Sequence, residues 1–276
     1  MNNTLIVMPT YNERENLATL ISGIHRFVPE ANILVVDDNS PDGTGAIADE
    51  LAAGDSHVHV LHRAGKEGLG MAYLAGFDWG LERGYDAIVE MDADGSHQPE
   101  QLVRLLDRLR DADLVIGSRW VPGGSVVNWP RSRELLSRGG NLYVRLLLGL
   151  RVRDATAGFR LFRRSTLEAI DLASVQSTGY VFQTDLAFRV VAAGLRVAEV
   201  PIEFVERVRL RTLNLGIAGR PGERIAMGGV DHHVPRFTVC RHCGAVRDVR
   251  NDNMGRRPDR LHEGWCKVRS GSQREA

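Results

Sequence analysis

The chain has 276 residues, 43% of them apolar, and its 35 basic and 35 acidic side chains cancel to zero net charge at pH 7. That balance removes the electrostatic case for nucleic acid, and the length suits one large domain or a domain with an appendage. No apolar run approaches eighteen residues and no signal peptide is legible, so neither a spanning helix nor a secretory leader is expected.

Taken in order, Thr4-Leu5-Ile6-Val7-Met8 reads as a β run closed by Pro9. Asn12 and Glu15 have capping-box spacing, and Leu17, Leu20, Ile21, Ile24 and Val28 then mark one apolar face of a helix. Ile33-Leu34-Val35-Val36 predicts a second strand ending in Asp37 and Asp38. The loop Asn39-Ser40-Pro41-Asp42-Gly43-Thr44 leads into a helix through about Ala53. Val58-His59-Val60-Leu61 predicts a third strand, and Gly65-Lys66-Glu67-Gly68-Leu69-Gly70 a turn before a helix from about Met71 to Glu82.

The fourth strand, Ala87-Ile88-Val89-Glu90-Met91, ends in Asp92-Ala93-Asp94. Side chains two apart in extended chain point the same way, so Asp92 and Asp94 can face one point. Two hard carboxylates there suit Mg2+ or Mn2+, with water or phosphate oxygens completing the shell. An isolated Asp-x-Asp is more often only a turn, with Gln98-Pro99 opening a helix. The neighbours reverse that preference. Another helix (Leu102, Leu105, Leu106, Leu109) and strand (Asp113-Leu114-Val115-Ile116-Gly117) follow, so strands alternate with helices and imply a doubly wound, mostly parallel sheet. Ligands bind such sheets beyond the strands' carboxyl ends. Pro9-Thr10-Tyr11, Asp37-Asp38, Asp92-Asp94 and Ser118-Arg119 all fall at that edge.

Residues 131–150 combine Leu135, Leu136, Leu142, Tyr143, Leu146 and Leu147 with several arginines. The pattern alone favours an ordinary core helix over one lying in a membrane interface. Asp154-Ala155-Thr156-Ala157-Gly158-Phe159-Arg160 predicts a loop entering a short strand. Gly179 to Asp185 leads a further helix to Ala193, and Val197 to Phe204 predicts the last strand of the body.

Together, Pro9-Thr10-Tyr11-Asn12-Glu13, Val35 to Thr44 and Met91-Asp92-Ala93-Asp94 resemble family 2 glycosyltransferases of the GT-A fold, an α/β Rossmann-like architecture. Adding Gly117 to Gly124, Asn128-Trp129-Pro130 and Asp154 to Phe159, the chain is similar to polyprenol-phosphate (dolichol-phosphate) mannosyltransferases from about Leu5 to Arg207. That resemblance implies inverting transfer of mannose from GDP-mannose to a polyprenyl monophosphate, with Mg2+ or Mn2+ held by Asp92, Asp94 and Ser96. It places Pro9, Tyr11, Glu13, Val36, Asp38 and Ala93 against the nucleotide, and Arg119, Arg133 and Arg207 on phosphates of donor or acceptor, where a guanidinium binds two oxygens at once. Gln183 and Asp185 occupy the general-base position of related transferases. An acceptor phosphate is already ionised, so Asp185 is assigned to positioning. A lipid acceptor also brings the membrane-interface reading of residues 131–150 level with the core reading. It implies peripheral attachment at the cytoplasmic face of a membrane and leaves room for a membrane-anchoring partner protein.

Two alternatives stand beside this one: a glucosyl or other nucleotide-sugar donor on the same fold, and an inactive nucleotide-sugar-binding protein. The second arises because the donor-closing Gly-x-Ser-Lys-Met type of loop expected after Arg207 is replaced by Val208-Arg209-Leu210-Arg211-Thr212. The division expected is therefore a GT-A domain over residues 1–207 and an irregular Arg/Gly-rich tail over 208–276, of recombined or frame-shifted origin. The tail holds all three cysteines, Cys240, Cys243 and Cys266. Their absence from the first two hundred residues fits a reducing compartment. Asp231-His232-His233 and Cys240-Arg241-His242-Cys243 resemble the zinc-binding part of ferric-uptake-regulator-type proteins. With a single further cysteine no functional tetrahedral site is expected.

Overall fold

The computed structural model describes residues 3–177 and 179–206, and the backbone of two short strands, Phe237–Val239 and Val246–Asp248, which pair antiparallel. Arg207, Asp231-His232-His233 and Cys240-Arg241-His242-Cys243 lie outside the described residues.

The strands are β1 Thr4–Thr10, β2 Asn32–Asp37, β3 Val58–His62, β4 Ala87–Glu90, β5 Leu114–Ser118, β6 Ser125–Val127, β7 Arg160–Arg163, β8 Val197–Pro201 and β9 Glu203–Val205. The helices are α1 Leu17–Phe27, α2 Thr44–Gly54, α3 Leu69–Glu82, α4 Leu102–Arg108, α5 Arg131–Leu148, α6 Arg164–Ala169 and α7 Tyr180–Ala192. Seven strands form one sheet in the order β3-β2-β1-β4-β7-β5-β8. All pairings are parallel except those of β7, which runs antiparallel between β4 and β5. A separate parallel pair, β6 with β9, is formed by the segments that follow β5 and β8, with Phe204 bridged to His97.

Alternation along the strands explains the two layers. Ile6, Met8, Ile33, Val35 and Val89 pack with Leu17, Leu20 and Ile24 of α1 and Leu102 and Leu105 of α4. Leu5, Val7, Leu34, Val36 and Ile88 face the other way, onto Ala72 and Phe77 of α3 and Phe182, Leu186 and Val190 of α7. Strands covered on both faces carry unbroken apolar runs, which is why they were legible.

Three expectations are corrected here. β1 does not stop at Pro9: it continues to Thr10, with Pro9 in register with Val36. Pairing of β1 with β4 ends at Val7, so the missing proline N–H costs no ladder bond on that side. The Asn12/Glu15 capping box does not form either, because α1 begins at Leu17 behind Asn16. Asn12 instead adopts φ 64°, and its N–H donates to Ser40 Oγ. The N–H groups of Glu13 and Arg14 donate to Thr44 Oγ1 and Asp42, so contacts with the second loop override the local capping signal. Finally, α5 is not a core helix. Its only fully buried residue is Asn141, while Leu135, Leu136 and Leu146 are 74%, 66% and 75% exposed.

Candidate active site

β4 ends at Glu90, and the acidic pair sits in the turn beyond it rather than on extended chain. Asp94 Oδ1 accepts the N–H of Ser96, which closes that turn. Both carboxylates act electrostatically on the His97 imidazole that follows the turn. His97 is 2% exposed, stacked on Phe159 with ring centroids 4.9 Å apart. Its Nδ1 accepts the Asp92 N–H at 3.2 Å, leaving Nε2 as the nitrogen that bears the proton. Burial pushes the imidazole below its ordinary value, against the pull of Asp92 and Asp94.

Asp92 is held from the opposite side by Tyr73 of α3, whose hydroxyl donates to Oδ1 at 2.8 Å. Its other oxygen lies over Gly158, where an added Cβ would come within 3.4 Å. Burial, helped by the Asp94 charge, raises the Asp92 carboxyl above the usual range, opposed by His97, Tyr73 and Arg119. The Asp94 charge beside the Asp92 carboxyl is repulsive, and a bound cation reverses that balance. Ser96 is 1% exposed, and its hydroxyl has no hydrogen-bond partner among the described residues. Among the described residues no third His, Cys, Asp or Glu completes a protein-only metal cage. The donor set therefore fits a hard divalent ion that keeps positions for water and phosphate oxygens.

Arg119, one residue beyond β5, is 8% exposed. Its Nε and Nη2 donate to the two oxygens of fully buried Asp154 at 2.8 and 2.7 Å, and Nη2 also reaches Thr156 Oγ1 at 3.0 Å. Trp120, Trp129 and Phe204 surround the guanidinium at 5.4, 5.4 and 5.6 Å. Asp154 thus fixes the orientation of Arg119 and leaves Nη1 for a ligand. Asn141 of α5 donates to the same Thr156 oxygen at 3.1 Å, which ties the helix to the site.

Under this floor lies a buried polar pair. Glu90 and Arg160 are fully buried, with Arg160 Nε 4.0 Å from the Glu90 carboxyl. Burial raises Glu90 to about 8 against the pull of Arg160, whose own value burial lowers to about 10. Arg160 is consequently the charged partner at neutral pH. Its guanidinium donates to the carbonyls of Ala155, Ala157 and Gln183, pinning the loop that carries Asp154 and Gly158. The Gln183 side chain is 5% exposed and acts on Glu90 without full hydrogen-bond geometry to it.

The first two loops carry the remaining residues. Pro9 and Val36 are strand neighbours, and Ala93 is buried between the two acids. Asp38 is no helix cap: it pairs with Arg63, which also reaches Glu67. Burial raises its carboxyl, chiefly against the pull of Arg63. Tyr11 is 37% exposed, with Lys66 Nζ 4.1 Å above its ring, and Glu13 accepts from Asn16. Arg133 pairs with Glu206 at 2.8 Å and stacks on Trp129. Asp185 accepts from Arg189 at 2.9 Å and Ser177 at 3.0 Å, a fully engaged carboxylate suited to positioning. Tyr73, His97, Asp154, Thr156 and Asn141 were not among the expected site residues. Two signals were available: Asp154 and Thr156 lie in the Asp154-to-Phe159 motif, and a tyrosine inside an apolar helix face needs a partner for its hydroxyl.

Residues 5–171 match Glycosyl transferase family 2, and the chain belongs to that family. An undecaprenyl-phosphate mannosyltransferase of Micrococcus luteus is 61% identical over 203 residues, covering 74% of this chain and 84% of the relative. A polyprenol monophosphomannose synthase of Mycolicibacterium smegmatis is 57% identical over 248 residues, 88% of this chain and 91% of the relative. That second match necessarily runs on past residue 207. Among solved structures, the mannosyltransferase PcManGT of Pyrobaculum calidifontis, in complex with GDP-Man and Mn2+, superposes with TM-score 0.52 at 19% identity, over 76% of this chain and 58% of that one. Glucosyl-3-phosphoglycerate synthase of Mycobacterium tuberculosis, with Mn2+, UDP and its product, gives 0.55 at 21% identity, over 74% and 71%. These similarities support the GT-A fold.

Proposed function

We propose that the protein transfers mannose from GDP-mannose to a polyprenyl monophosphate with inversion, releasing GDP and a β-linked mannosyl phosphate lipid. The observation that carries this reading is the acid pair Asp92/Asp94 in the turn beyond β4, together with an Arg119 just beyond β5 that Asp154 holds in one orientation. The names of the two relatives at 61% and 57% identity support the choice of sugar and acceptor.

Asp92 and Asp94, with Ser96 Oγ within reach of the same turn, would hold Mg2+ or Mn2+ against the diphosphate. When bound, that ion supplies charge neutralisation as GDP departs. An acceptor phosphate oxygen attacks the anomeric carbon, and the bond from that carbon to the β-phosphate oxygen breaks. The phosphate is already ionised, so no protein base takes a proton. Arg119 Nη1 meets a phosphate, and Pro9, Tyr11, Glu13, Val36 and Asp38 frame the nucleotide. The contribution of the protein is alignment and charge stabilisation. Arg133 joins the acceptor side only by exchanging its pair with Glu206.

No helix among the described residues is long and apolar enough to cross a membrane. The exposed leucines of α5 support peripheral attachment, with the helix in the lipid-water interface. An assay with radiolabelled GDP-mannose, UDP-glucose, polyprenyl phosphate and Mg2+ or Mn2+ tests the reaction. Mannolipid should form from GDP-mannose alone, cease with chelator, and be nearly absent for Asp94→Asn. Normal turnover of that variant would overturn the metal assignment.

A further inference from the structure

Between α5 and the body lies a cavity of about 230 Å³ bounded by Trp120, Arg138, Leu142, Arg145 and Arg153. Three of the five lining residues are arginines. Arg138 pairs with Glu134 at 2.9 Å and lies 4.3 Å over the Trp120 ring. Among the described residues Arg145 and Arg153 form no ion pair; the nearby Glu199 carboxylate is occupied by the backbone N–H groups of Arg153 and Asp154. Trp120 is 9% exposed, and its buried indole N–H has no partner among the described residues. The cavity is thus rich in donors and poor in acceptors.

Its position on the helix matters as much. Arg138, Leu142 and Arg145 follow one another four and three residues apart, on one face. By helical geometry, this row runs between the buried side carrying Asn141, Val144 and Leu148 and the exposed side carrying Leu135, Leu146 and Leu147. If the leucines enter a bilayer, the arginines stand at the level of its phosphates.

We infer that this cavity is a seat for the phosphate of an anionic membrane phospholipid, separate from the phosphate that Arg119 would meet, although both places share the Trp120 ring. The inference rests on the proposed attachment of α5 to a membrane. Guanidinium groups bind phosphate oxygens in pairs, and the cavity volume suits a headgroup phosphate rather than a whole lipid. The seat would hold the enzyme at one height and orientation, with the acceptor opening at the bilayer surface.

The test uses the full chain and sedimentation with vesicles of phosphatidylcholine alone or mixed with phosphatidylglycerol. Product formation from a short-chain polyprenyl phosphate in detergent is measured alongside. The wild type should prefer the phosphatidylglycerol vesicles. Arg145→Gln with Arg153→Gln should lose about thirtyfold of that affinity, with turnover in detergent unchanged. The double lysine variant keeps the charge but not the paired geometry and should fall between the two. Lysine binding equal to wild type would reduce the effect to diffuse charge and overturn the seat. Loss of detergent activity in the glutamine variant would assign the cavity to the acceptor and overturn it as well. An arm with inorganic phosphate and no vesicles reads thermal stability. Stabilisation there without any preference for anionic vesicles would assign the site to free phosphate. Product formation by the wild type in detergent reports on the transferase reading alone, so the two can fail separately.

Discussion

At the scale of single residues, the site is built from groups placed to hold other groups. Tyr73 is fully buried and its hydroxyl has one acceptor, Asp92 Oδ1. Partners of this kind orient metal-binding carboxylates, and their removal weakens metal binding by about 10–100-fold. Tyr73→Phe preserves the ring stacked 6.3 Å from Phe182. A Mn2+ titration of that variant should show weaker binding with the melting temperature little changed. Glu90 yields a second prediction. Its carboxyl sits at about 8 in the folded protein, above its ordinary value of 4.5, because burial disfavours the charge. The folded state therefore binds the proton more tightly than the unfolded one. The stability this contributes is complete below about pH 4.5 and is lost as pH rises towards about 8. In metal-free buffer, Glu90→Gln should show a flatter dependence of stability on pH than the wild type across that window. Superimposable profiles would refute a protonated Glu90. Little of this was visible in the chain, because Tyr73 reads as one more helix-face residue and Asp154 lies thirty-five residues from the arginine it clamps.

At the scale of elements, the strands were legible because burial on both faces leaves unbroken apolar runs, and the acids after β2 and β4 mark where those runs end. α5 was not, because a 3.6-residue period shows that a helix has an apolar face and not what that face meets. Its inner side mixes a polar contact, Asn141 on Thr156, with the apolar Val144 and Leu148. α3 shows the opposite case, a helix pressed so closely on β1 that glycine is required. A Cβ at Gly76 would lie 2.3 Å from Val7 Cγ1, whereas Gly139 of α5 has open space around it. Helix propensity favours alanine by about 1 kcal/mol at either position, and overpacking costs about 1–3 kcal/mol. Denaturant unfolding should show Gly76→Ala as a net loss and Gly139→Ala as a gain of roughly 1 kcal/mol.

At the scale of the whole molecule, the proposed reading has one sheet present both substrates at a single edge, while α5 carries exposed leucines. Water on Leu135, Leu136 and Leu146 is unfavourable, and each leucine returned to an apolar medium gains about 1.5–3 kcal/mol. Replacing Leu135 and Leu146 by glutamine should release the protein from vesicles without lowering turnover of a short acceptor in detergent. Retention on vesicles would place the contact elsewhere. The central claim is narrower: the acid pair binds a divalent ion that in turn holds the donor's diphosphate. Calorimetric titration of GDP-mannose into the wild type and Asp94→Asn, each with Mn2+ and with chelator, tests it most directly. The account predicts binding by the wild type with Mn2+, weakened at least about tenfold by chelator or by the substitution. Equal affinity in all four titrations would contradict it.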